Sequence, residues 1–230
     1  MTKEEFIEAL KELNIEVTEE KLNKLNRYYE LLVEWNEKIN LTAITEKNDV
    51  YLKHFYDSLT ITKIVDLSKI STFADIGTGA GFPGLIIKIF FPDIHITLID
   101  SLNKRTDFLK LVIADLKLEN IEVITGRAEE LGHREKYEVV TARAVANLHI
   151  LLELLVPLSS KYVLLMKGEA KEELENTNNL YKELSIKLIQ KIEFQLPKEN
   201  SKRTLLMYEK TAKTNLKYPR NYGQIKKKPL

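Results

Sequence analysis

From Ser71 onward, short β-rich runs alternate with helical segments, and this alternation restricts the chain to few folds. Five runs have the composition of buried strands: STFADI, HITLID, IEVIT, YEVVTAR and KYVLLMK. Between them, residues 83–91, 103–118 and 147–158 have helical patterns. Such alternation predicts an α/β fold, a mostly parallel sheet with helices on both faces. KLIQKIEFQL and RTLLMYEK predict an antiparallel pair that completes a seven-stranded sheet.

The first 68 residues have helical rather than alternating patterns. Thr2 and Glu5 have the spacing of a capping box, and Thr18 has the features of the N-cap of a longer helix. In that helix Leu22, Leu25, Tyr29, Leu32 and Ile39 fall on one face, and a third helical stretch follows Thr45. We therefore expect a helical extension over residues 1–68 and a binding domain over residues 69–230.

The composition excludes several kinds of chemistry. The chain has no cysteine, which removes disulfides, Cys-ligated zinc, iron–sulfur clusters and thiolate nucleophiles. Its four histidines have no spacing typical of a metal site, so no metal is expected.

The charge pattern bears on location and partners. The first residues are charged, and no window resembles a signal peptide or a membrane span, so a cytoplasmic protein without membrane contact is expected. Residues 1–60 carry 8 basic and 13 acidic side chains, whereas residues 211–230 carry 6 basic and none acidic. The basic end is therefore a candidate contact for a polyanion.

A glycine-rich loop, ADIGTGAGFPG at residues 74–84, follows the first predicted strand and opens a helix. Open α/β sheets bind nucleotides at this place. Read as G-x-G-x-x-G from Gly79, with Asp100 about 20 residues on, the loop fits a dinucleotide. Read from Asp75 as D-x-G-x-G-x-G, it resembles motif I of class I methyltransferases. A carboxylate is an unfavourable neighbour for a pyrophosphate but suits the cationic amino-acid part of S-adenosylmethionine, so the second reading is favoured.

Two further strand ends contribute to the same predicted site. Asp100 ends the second strand, where a carboxylate accepts hydrogen bonds from both ribose hydroxyls of either cofactor. The segment GRAEE, residues 126–130, follows the third strand, where methyltransferases of this class surround the adenine.

The fourth strand leads into TARAVANL, residues 141–148, where such folds face the methyl group. The chain lacks the N-P-P-Y or D-P-P-Y tetrad there that enzymes methylating exocyclic amines use, and it lacks the cysteine that pyrimidine carbon-5 methylation needs. These two absences leave methylation of an atom that carries its own lone pair, and guanine N7 is such an atom. No general base is then expected, and Arg143 is a candidate to hold guanine O6, a phosphate or the cofactor carboxylate.

The motifs together resemble the ribosomal small subunit methyltransferase G family, also called glucose-inhibited division protein B. The resemblance rests on the segments WNEKINLTAI, HFYDSL, DIGTGAGFPG, DSLNKR, GRAEE, TARAVANL and the tail KYPRNYGQIKKKPL, which follow in order over nearly the whole chain.

This resemblance implies a Rossmann-like class I fold and N7 methylation of one guanine in 16S ribosomal RNA with S-adenosylmethionine. By motif, Gly77 and Phe82 line the cofactor, Ala128 and Glu129 lie at the adenine, and Arg143 lies beside the reacting centre. The strand-end argument adds Gly79, Gly81 and Asp100, and the acidic residue of the loop adds Asp75. We expect a monomer that acts on 16S RNA or the small ribosomal subunit.

RNA affinity is expected to depend on scattered basic residues, because the core has no strongly basic face. They are Lys104, Arg105, Arg127, Lys167, Arg203, Lys217 and Arg220, with the run Lys226–Lys228 assisting. Tyr218 and Tyr222 in the tail are suited to base stacking or to docking the tail on the protein. A small-molecule methyltransferase, a nicotinamide-dependent oxidoreductase and a non-catalytic RNA-binding module remain as alternatives.

Overall fold

A seven-stranded sheet forms the centre of the computed structural model, which describes residues 1–143, 146–175, 177–199 and 201–230. The strand order is β3-β2-β1-β4-β5-β7-β6, with β7 antiparallel to both of its neighbours and the other pairs parallel. The strands are β1 (Thr72–Ile76), β2 (His95–Asp100), β3 (Ile121–Thr125), β4 (Tyr137–Arg143), β5 (Ser159–Lys167), β6 (Ile186–Gln195) and β7 (Lys202–Lys210). All seven predicted strands are confirmed.

The order of the strands reverses at β1, which lies between β2 and β4. In open α/β sheets the crevice at the carboxyl ends of the strands on either side of such a switch point is the usual ligand site. The register pairs Asp75 with Leu98 of β2 and with Thr141 of β4. The strand-end side chains singled out in the sequence therefore share one edge of the sheet.

Nine α-helices and several shorter helical turns surround the sheet in the part of the chain that the structure describes. The α-helices are α1 (Lys3–Glu12), α2 (Glu19–Ile39), α3 (Lys47–Val50), α4 (Asp57–Leu59), α5 (Gly84–Phe90), α6 (Asn103–Asp115), α7 (Leu148–Leu155), α8 (Asn178–Leu184) and α9 (Tyr222–Lys227). α5, α6 and α7 confirm the three helices predicted between strands, whereas α8 and α9 were not anticipated.

The beginning of the chain is helical, as predicted. Thr2 and Glu5 form the capping box of α1, and the Thr18 side chain accepts from the backbone N–H of Lys21 at the start of α2. One interpretation needs refinement, because Tyr29 packs partly buried against the apolar core while its neighbour Tyr28, which the pattern did not select, is fully buried. Both positions fit a helical period after Leu25, and only the tertiary structure decides which one faces the sheet.

A π-helical turn, Tyr51–Tyr56, joins α3 to α4 and makes one continuous helical stretch ending in the 3₁₀ turn Thr60–Lys63. A helical stretch after Thr45 is predicted from the sequence and is confirmed, whereas its π-helical turn was not anticipated. A π turn inserts an extra residue and rotates the side chains that follow, and such turns are frequent at functional sites. Here it places His54 and Asp57 on the same wall of a cavity.

Alternating side chains of the strands enter two apolar cores, one on each face of the sheet. Phe73, Leu98 and Val139 belong to the core that also contains α1, α2, α5 and α6. Ala74, Val140 and neighbouring positions belong to the core that contains α7, α8 and α9. Because the N-terminal helices share the first core with the sheet, the boundary at residue 68 stays a prediction.

The basic tail folds back against the second core. The Arg134 guanidinium donates to the carbonyl oxygens of Thr214 and Tyr218 at 2.9 and 2.6 Å. Tyr218 is buried and its hydroxyl donates to Glu183, so it docks the tail. Among the described residues, no helix combines the length and the apolar character needed to cross a membrane.

Candidate active site

The loop after β1 is held by backbone and carboxylate contacts. The N–H groups of Gly77 and Thr78 donate to the Ile99 carbonyl at 2.8 and 3.1 Å, which fastens the loop to the end of β2. Asp75 Oδ2 accepts from Thr78 Oγ1 at 2.6 Å and from the Gly84 N–H at 2.8 Å. The acidic residue of the motif therefore ties the strand to the first turn of α5.

Burial alters the acidity of Asp75. The side chain is fully buried, and this burial raises its pKa from 3.8 to about 6, against the hydrogen bonds from Thr78 and Gly84 that lower it. Its second oxygen, Oδ1, is buried without a hydrogen-bond partner in the described part of the chain. A buried carboxylate oxygen that lacks a hydrogen-bond partner favours a cationic donor nearby.

Two loop glycines meet different surroundings. Gly79 has φ of +61°, and a Cβ there would approach only the Gly77 oxygen, at 4.0 Å. Gly81 has φ of +106°, and a Cβ there would collide with Leu85 and approach the Tyr28 hydroxyl. Open space therefore lies beside Gly79, whereas Gly81 is required for packing against α2 and α5.

Asp100 stands at the carboxyl end of β2 with both oxygens engaged. Oδ2 accepts from the Gly79 N–H at 2.9 Å, Oδ1 accepts from the Leu102 N–H at 3.0 Å, and Arg105 lies 3.4 Å from Oδ2. Oδ1 therefore retains capacity for a further donor, whereas Oδ2 already faces two. Ala128 and Glu129 occupy the 3₁₀ turn Ala128–Glu130 after β3.

A cavity of about 610 Å³ opens on the other side of the loop, at the ends of β4 and β5. Six of the predicted site residues line it: Gly77, Gly79, Phe82, Arg143, Lys167 and Arg203. Asp75, Gly81, Asp100, Ala128 and Glu129 do not line it. The predicted site residues therefore divide between those that line this cavity and those that lie outside it.

Arg143 is held on several sides at the wall of this cavity. Nη1 donates to the Lys53 carbonyl at 3.1 Å and to Asp57 Oδ2 at 3.3 Å, and the guanidinium carbon lies 5.2 Å from the centre of the Phe82 ring. The middle of the motif that follows, Ala144 and Val145, lies outside the described residues. Arg143 is thus a fixed cation beside the glycine loop.

The predicted RNA-binding residues are spread over the molecule. Lys104 is exposed, Arg105 lies near Asp100, and Arg127 lies over the Tyr222 ring at 5.8 Å. Lys217 pairs with Glu183 at 2.8 Å in an exposed position.

Two of these residues have strong partners inside the protein. Lys167 is only 9% exposed and binds Glu173 at 2.8 Å and the Ala146 carbonyl at 2.9 Å. Arg220 binds the fully buried Glu153 through Nε at 2.7 Å and Nη2 at 2.5 Å. Both cations are therefore engaged by carboxylates within the protein, and their contact with RNA stays a prediction.

Several cavity residues received no role in the sequence analysis, chiefly Thr42, Lys53, His54, Asp57 and Glu199. Three of them lie in the segments WNEKINLTAI and HFYDSL, which carried the family resemblance but no assigned chemistry. Among the described residues, no group of three or more His, Cys, Asp or Glu side chains is arranged to hold a metal ion.

Comparison with known proteins identifies a family match. The family described as rRNA small subunit methyltransferase G (GidB) matches residues 21–206. The chain is 47% identical to the ribosomal RNA small subunit methyltransferase G of Lysinibacillus sphaericus over 237 residues, covering 100% of both chains. It is 46% identical to the protein of the same name from Bacillus subtilis, covering 100% of this chain and 99% of that one.

Solved structures share the fold at low identity. An S-adenosylmethionine-dependent methyltransferase from Aquifex aeolicus superposes with a TM-score of 0.54 at 16% identity, covering 74% of this chain and 96% of that one. Magnesium protoporphyrin IX methyltransferase from Synechocystis, solved with bound S-adenosylmethionine, gives 0.57 at 12% identity, covering 80% and 97%.

Proposed function

Since the chain belongs to the rRNA small subunit methyltransferase G family, a family of S-adenosylmethionine-dependent enzymes with the class I fold, we propose that it methylates N7 of a guanine in 16S ribosomal RNA. The observation that carries this assignment is the cavity in which the glycine loop, Phe82 and Arg143 meet at the carboxyl ends of the strands. We assign it to a monomer working in the cytoplasm on the small subunit or its RNA.

The residues present fit S-adenosylmethionine. The open space beside Gly79 leaves room for a ligand against the loop backbone, and the partnerless oxygen of buried Asp75 favours a cationic group nearby. Asp100 would hold the ribose hydroxyls, and Ala128 with Glu129 would border the adenine. When bound, the cofactor supplies a methyl group on a positively charged sulfur.

The chain's own residues then orient the target base. Arg143 is rigidly placed, and its guanidinium donates hydrogen bonds, which matches the O6 acceptor adjacent to N7. His54 lies against it with a pKa lowered to about 3, chiefly by burial and also by the Arg143 charge. A neutral imidazole avoids adding positive charge, and guanine N7 has no proton to remove. The side chains therefore act by positioning and by excluding water.

Features of the site bear on the three alternatives. The buried carboxylate in the glycine loop disfavours a dinucleotide, as it did in the sequence. Four cationic side chains, Lys53, Arg143, Lys167 and Arg203, line the cavity together with two carboxylates, and this net positive charge suits a polyanionic substrate better than a small neutral metabolite. The family membership argues against a non-catalytic RNA-binding module.

The test is transfer of a tritiated methyl group to 16S RNA from a strain that lacks the enzyme. We expect label at one guanine, with cleavage chemistry specific for N7-methylguanine mapping its position. Naked RNA and purified small subunits are compared in parallel. Label at another atom would contradict the N7 assignment, and no label in either substrate would contradict the proposed function. Calorimetry should detect S-adenosylhomocysteine and no NAD.

A further inference from the structure

The cavity contains an ion cluster that joins three parts of the chain. Asp57, in α4, has a side chain only 7% exposed. Its Oδ1 accepts from Arg203 Nε at 3.0 Å, and its Oδ2 lies 3.3 Å from Arg143 Nη1. Arg143 ends β4 and Arg203 lies in β7, with β5 between these strands in the sheet. One carboxylate from the N-terminal helices thus bridges two guanidinium groups from separate strands.

A second set of contacts holds Arg143 from the same helical stretch. His54 stacks on Phe82 with ring centroids 4.4 Å apart, and its Nδ1 lies 3.3 Å from Arg143 Nη2. Nδ1 also lies 3.2 Å from the Lys53 carbonyl oxygen, and Nε2 lies 2.9 Å from Thr42 Oγ1, so His54 joins Arg143 to the loop after α2.

The chain of contacts continues into the loop after α2. The Thr42 hydroxyl also accepts from the Ile44 N–H at 3.1 Å, and the Thr42 N–H donates to Asn36 Oδ1 at 2.8 Å. Asn36 and Thr42 belong to WNEKINLTAI, and His54 and Asp57 belong to HFYDSL. The two segments of the N-terminal helices that had no chemical role therefore converge on the arginine of β4.

We propose that Asp57 is a positioning residue for methyl transfer, because it binds Arg143 and Arg203 together and fixes both guanidinium groups at the wall of the substrate cavity. The proposal rests on the proposed function, in which this cavity receives the guanine. Two guanidinium groups at one wall of the cavity repel each other. A carboxylate between them offsets this repulsion and orients both groups through its hydrogen bonds. Asp57 acts through the arginines.

The first test is Asp57→Asn, which keeps the size of the side chain and removes its charge. We expect kcat for RNA methylation to fall about 100-fold, because loosened donors no longer hold the base at attack distance. The dissociation constant for S-adenosylhomocysteine should stay within about 3-fold, since the side-chain partners of Asp57 are Arg143 and Arg203 rather than Asp100, Ala128 or Glu129, which are predicted to hold the nucleoside. A kcat within about 3-fold of wild type would overturn the proposal.

Asp115→Asn is the matched control. Asp115 also joins the N-terminal helices to the sheet layer through an arginine, accepting from Arg27 at 2.9 and 2.8 Å between α2 and α6, outside the cavity. It should retain wild-type kcat. If Asp115→Asn loses as much kcat as Asp57→Asn, the effect is a general loss of structure and the positioning role is wrong.

Arg203→Lys keeps the test decisive if Asp57→Asn does not fold. Lysine keeps the positive charge, but it cannot reproduce the hydrogen bond that the planar guanidinium group donates through Nε. We expect kcat to fall at least about 10-fold with an unchanged unfolding midpoint. Wild-type kcat in Arg203→Lys would overturn the proposal.

A readout without cofactor or RNA separates this proposal from the proposed function. In wild-type protein the Arg203 Nε–H is hydrogen-bonded to Asp57, so its NMR signal should exchange slowly with water and should shift in Asp57→Asn. An unchanged signal would overturn the positioning role. Failure of wild-type protein to label RNA would instead contradict the proposed function.

Discussion

At the scale of single residues, the buried carboxylate of Asp75 explains why the loop after β1 has its shape. Its Oδ2 binds both ends of the turn, at Thr78 and at Gly84, while Oδ1 is left without a partner in the described structure. The sequence argument assigned Asp75 to the cofactor. The structure adds that the same carboxylate holds the loop, so we expect loss of this residue to lower stability as well as cofactor affinity.

The raised pKa of Asp75 gives stability a defined pH dependence. Between its ordinary value of 3.8 and its folded value of about 6, the folded protein holds a proton that the unfolded chain releases. The contribution of this proton to the free energy of unfolding is therefore fully present below pH 3.8. It is lost as the pH rises through 6, and the loss amounts to up to about 3 kcal/mol. Urea unfolding of wild type and Asp75→Asn, which cannot titrate, at pH 4.5 and 7 checks this. A difference between the two proteins that does not change with pH would contradict it.

Two loop glycines form a matched pair for testing the cofactor position. At Gly79 a methyl group enters open space with φ of +61°, so Gly79→Ala should cost about 1 kcal/mol of stability and weaken S-adenosylhomocysteine binding at least about 10-fold. At Gly84 the methyl group would collide with Leu98 and approach Asp75 Oδ2 at 3.0 Å. Gly84→Ala should therefore lower the free energy of unfolding by about 1–3 kcal/mol.

Calorimetry and chemical unfolding of both variants separate these effects. If Gly79→Ala binds S-adenosylhomocysteine as tightly as wild type, the cofactor does not lie against that glycine.

At the scale of elements, the basic tail is a folded part of the domain. Ile225 of α9 is buried, the Arg134 side chain binds tail carbonyl groups, and Tyr218 packs against the second core. The net positive charge of the tail predicts an RNA contact, and this stays a prediction, because charge alone does not distinguish a solvated side chain from a partner in a buried ion pair. Lys226–Lys228 remain exposed and available to a polyanion.

Arg220→Met tests the element-scale role of that ion pair. Removing Arg220 leaves Glu153, which is fully buried, without its cation, and such losses cost about 3–5 kcal/mol. We expect the unfolding midpoint to fall while S-adenosylhomocysteine affinity of the folded protein is retained. Wild-type stability combined with weaker RNA binding would instead restore Arg220 as an RNA contact.

At the scale of the whole molecule, the N-terminal helices and the sheet share one core. Tyr28 of α2 is fully buried between aromatic rings from both regions, with centroid distances of 5.7 Å to Phe55, 5.5 Å to Phe82 and 6.4 Å to Phe108. Its hydroxyl donates to the Ala80 carbonyl in the glycine loop. The N-terminal helices therefore pack against the glycine loop, and they also complete the wall of the cavity.

A fragment of residues 69–230 should not fold by itself. It would expose the apolar surface of α5 and α6 that α2 now covers, and it would lack Asp57 beside Arg143. We expect no cooperative thermal transition and strong binding of a hydrophobic dye. A cooperative transition at the wild-type midpoint would show that residues 1–68 are dispensable for folding.

The sequence by itself determined the strands, the helices between them, the glycine loop and the family. Period-two alternation, helical spacing and glycine motifs are local patterns, and local patterns are readable without tertiary contacts. The resemblance implied the class I fold, and the strand order β3-β2-β1-β4-β5-β7-β6 belongs to that fold.

Only the tertiary structure decided which charged residues meet. Asp57 lies 86 residues from Arg143 and 146 from Arg203 in the chain, and the partners of Arg220 and Lys167 are equally invisible in a linear sequence. Charged side chains have no periodic signal, because the same lysine or arginine occurs on a solvated face or in an ion pair. Their roles follow from burial and distance, which arise only when the sheet brings distant strand ends under the N-terminal helices.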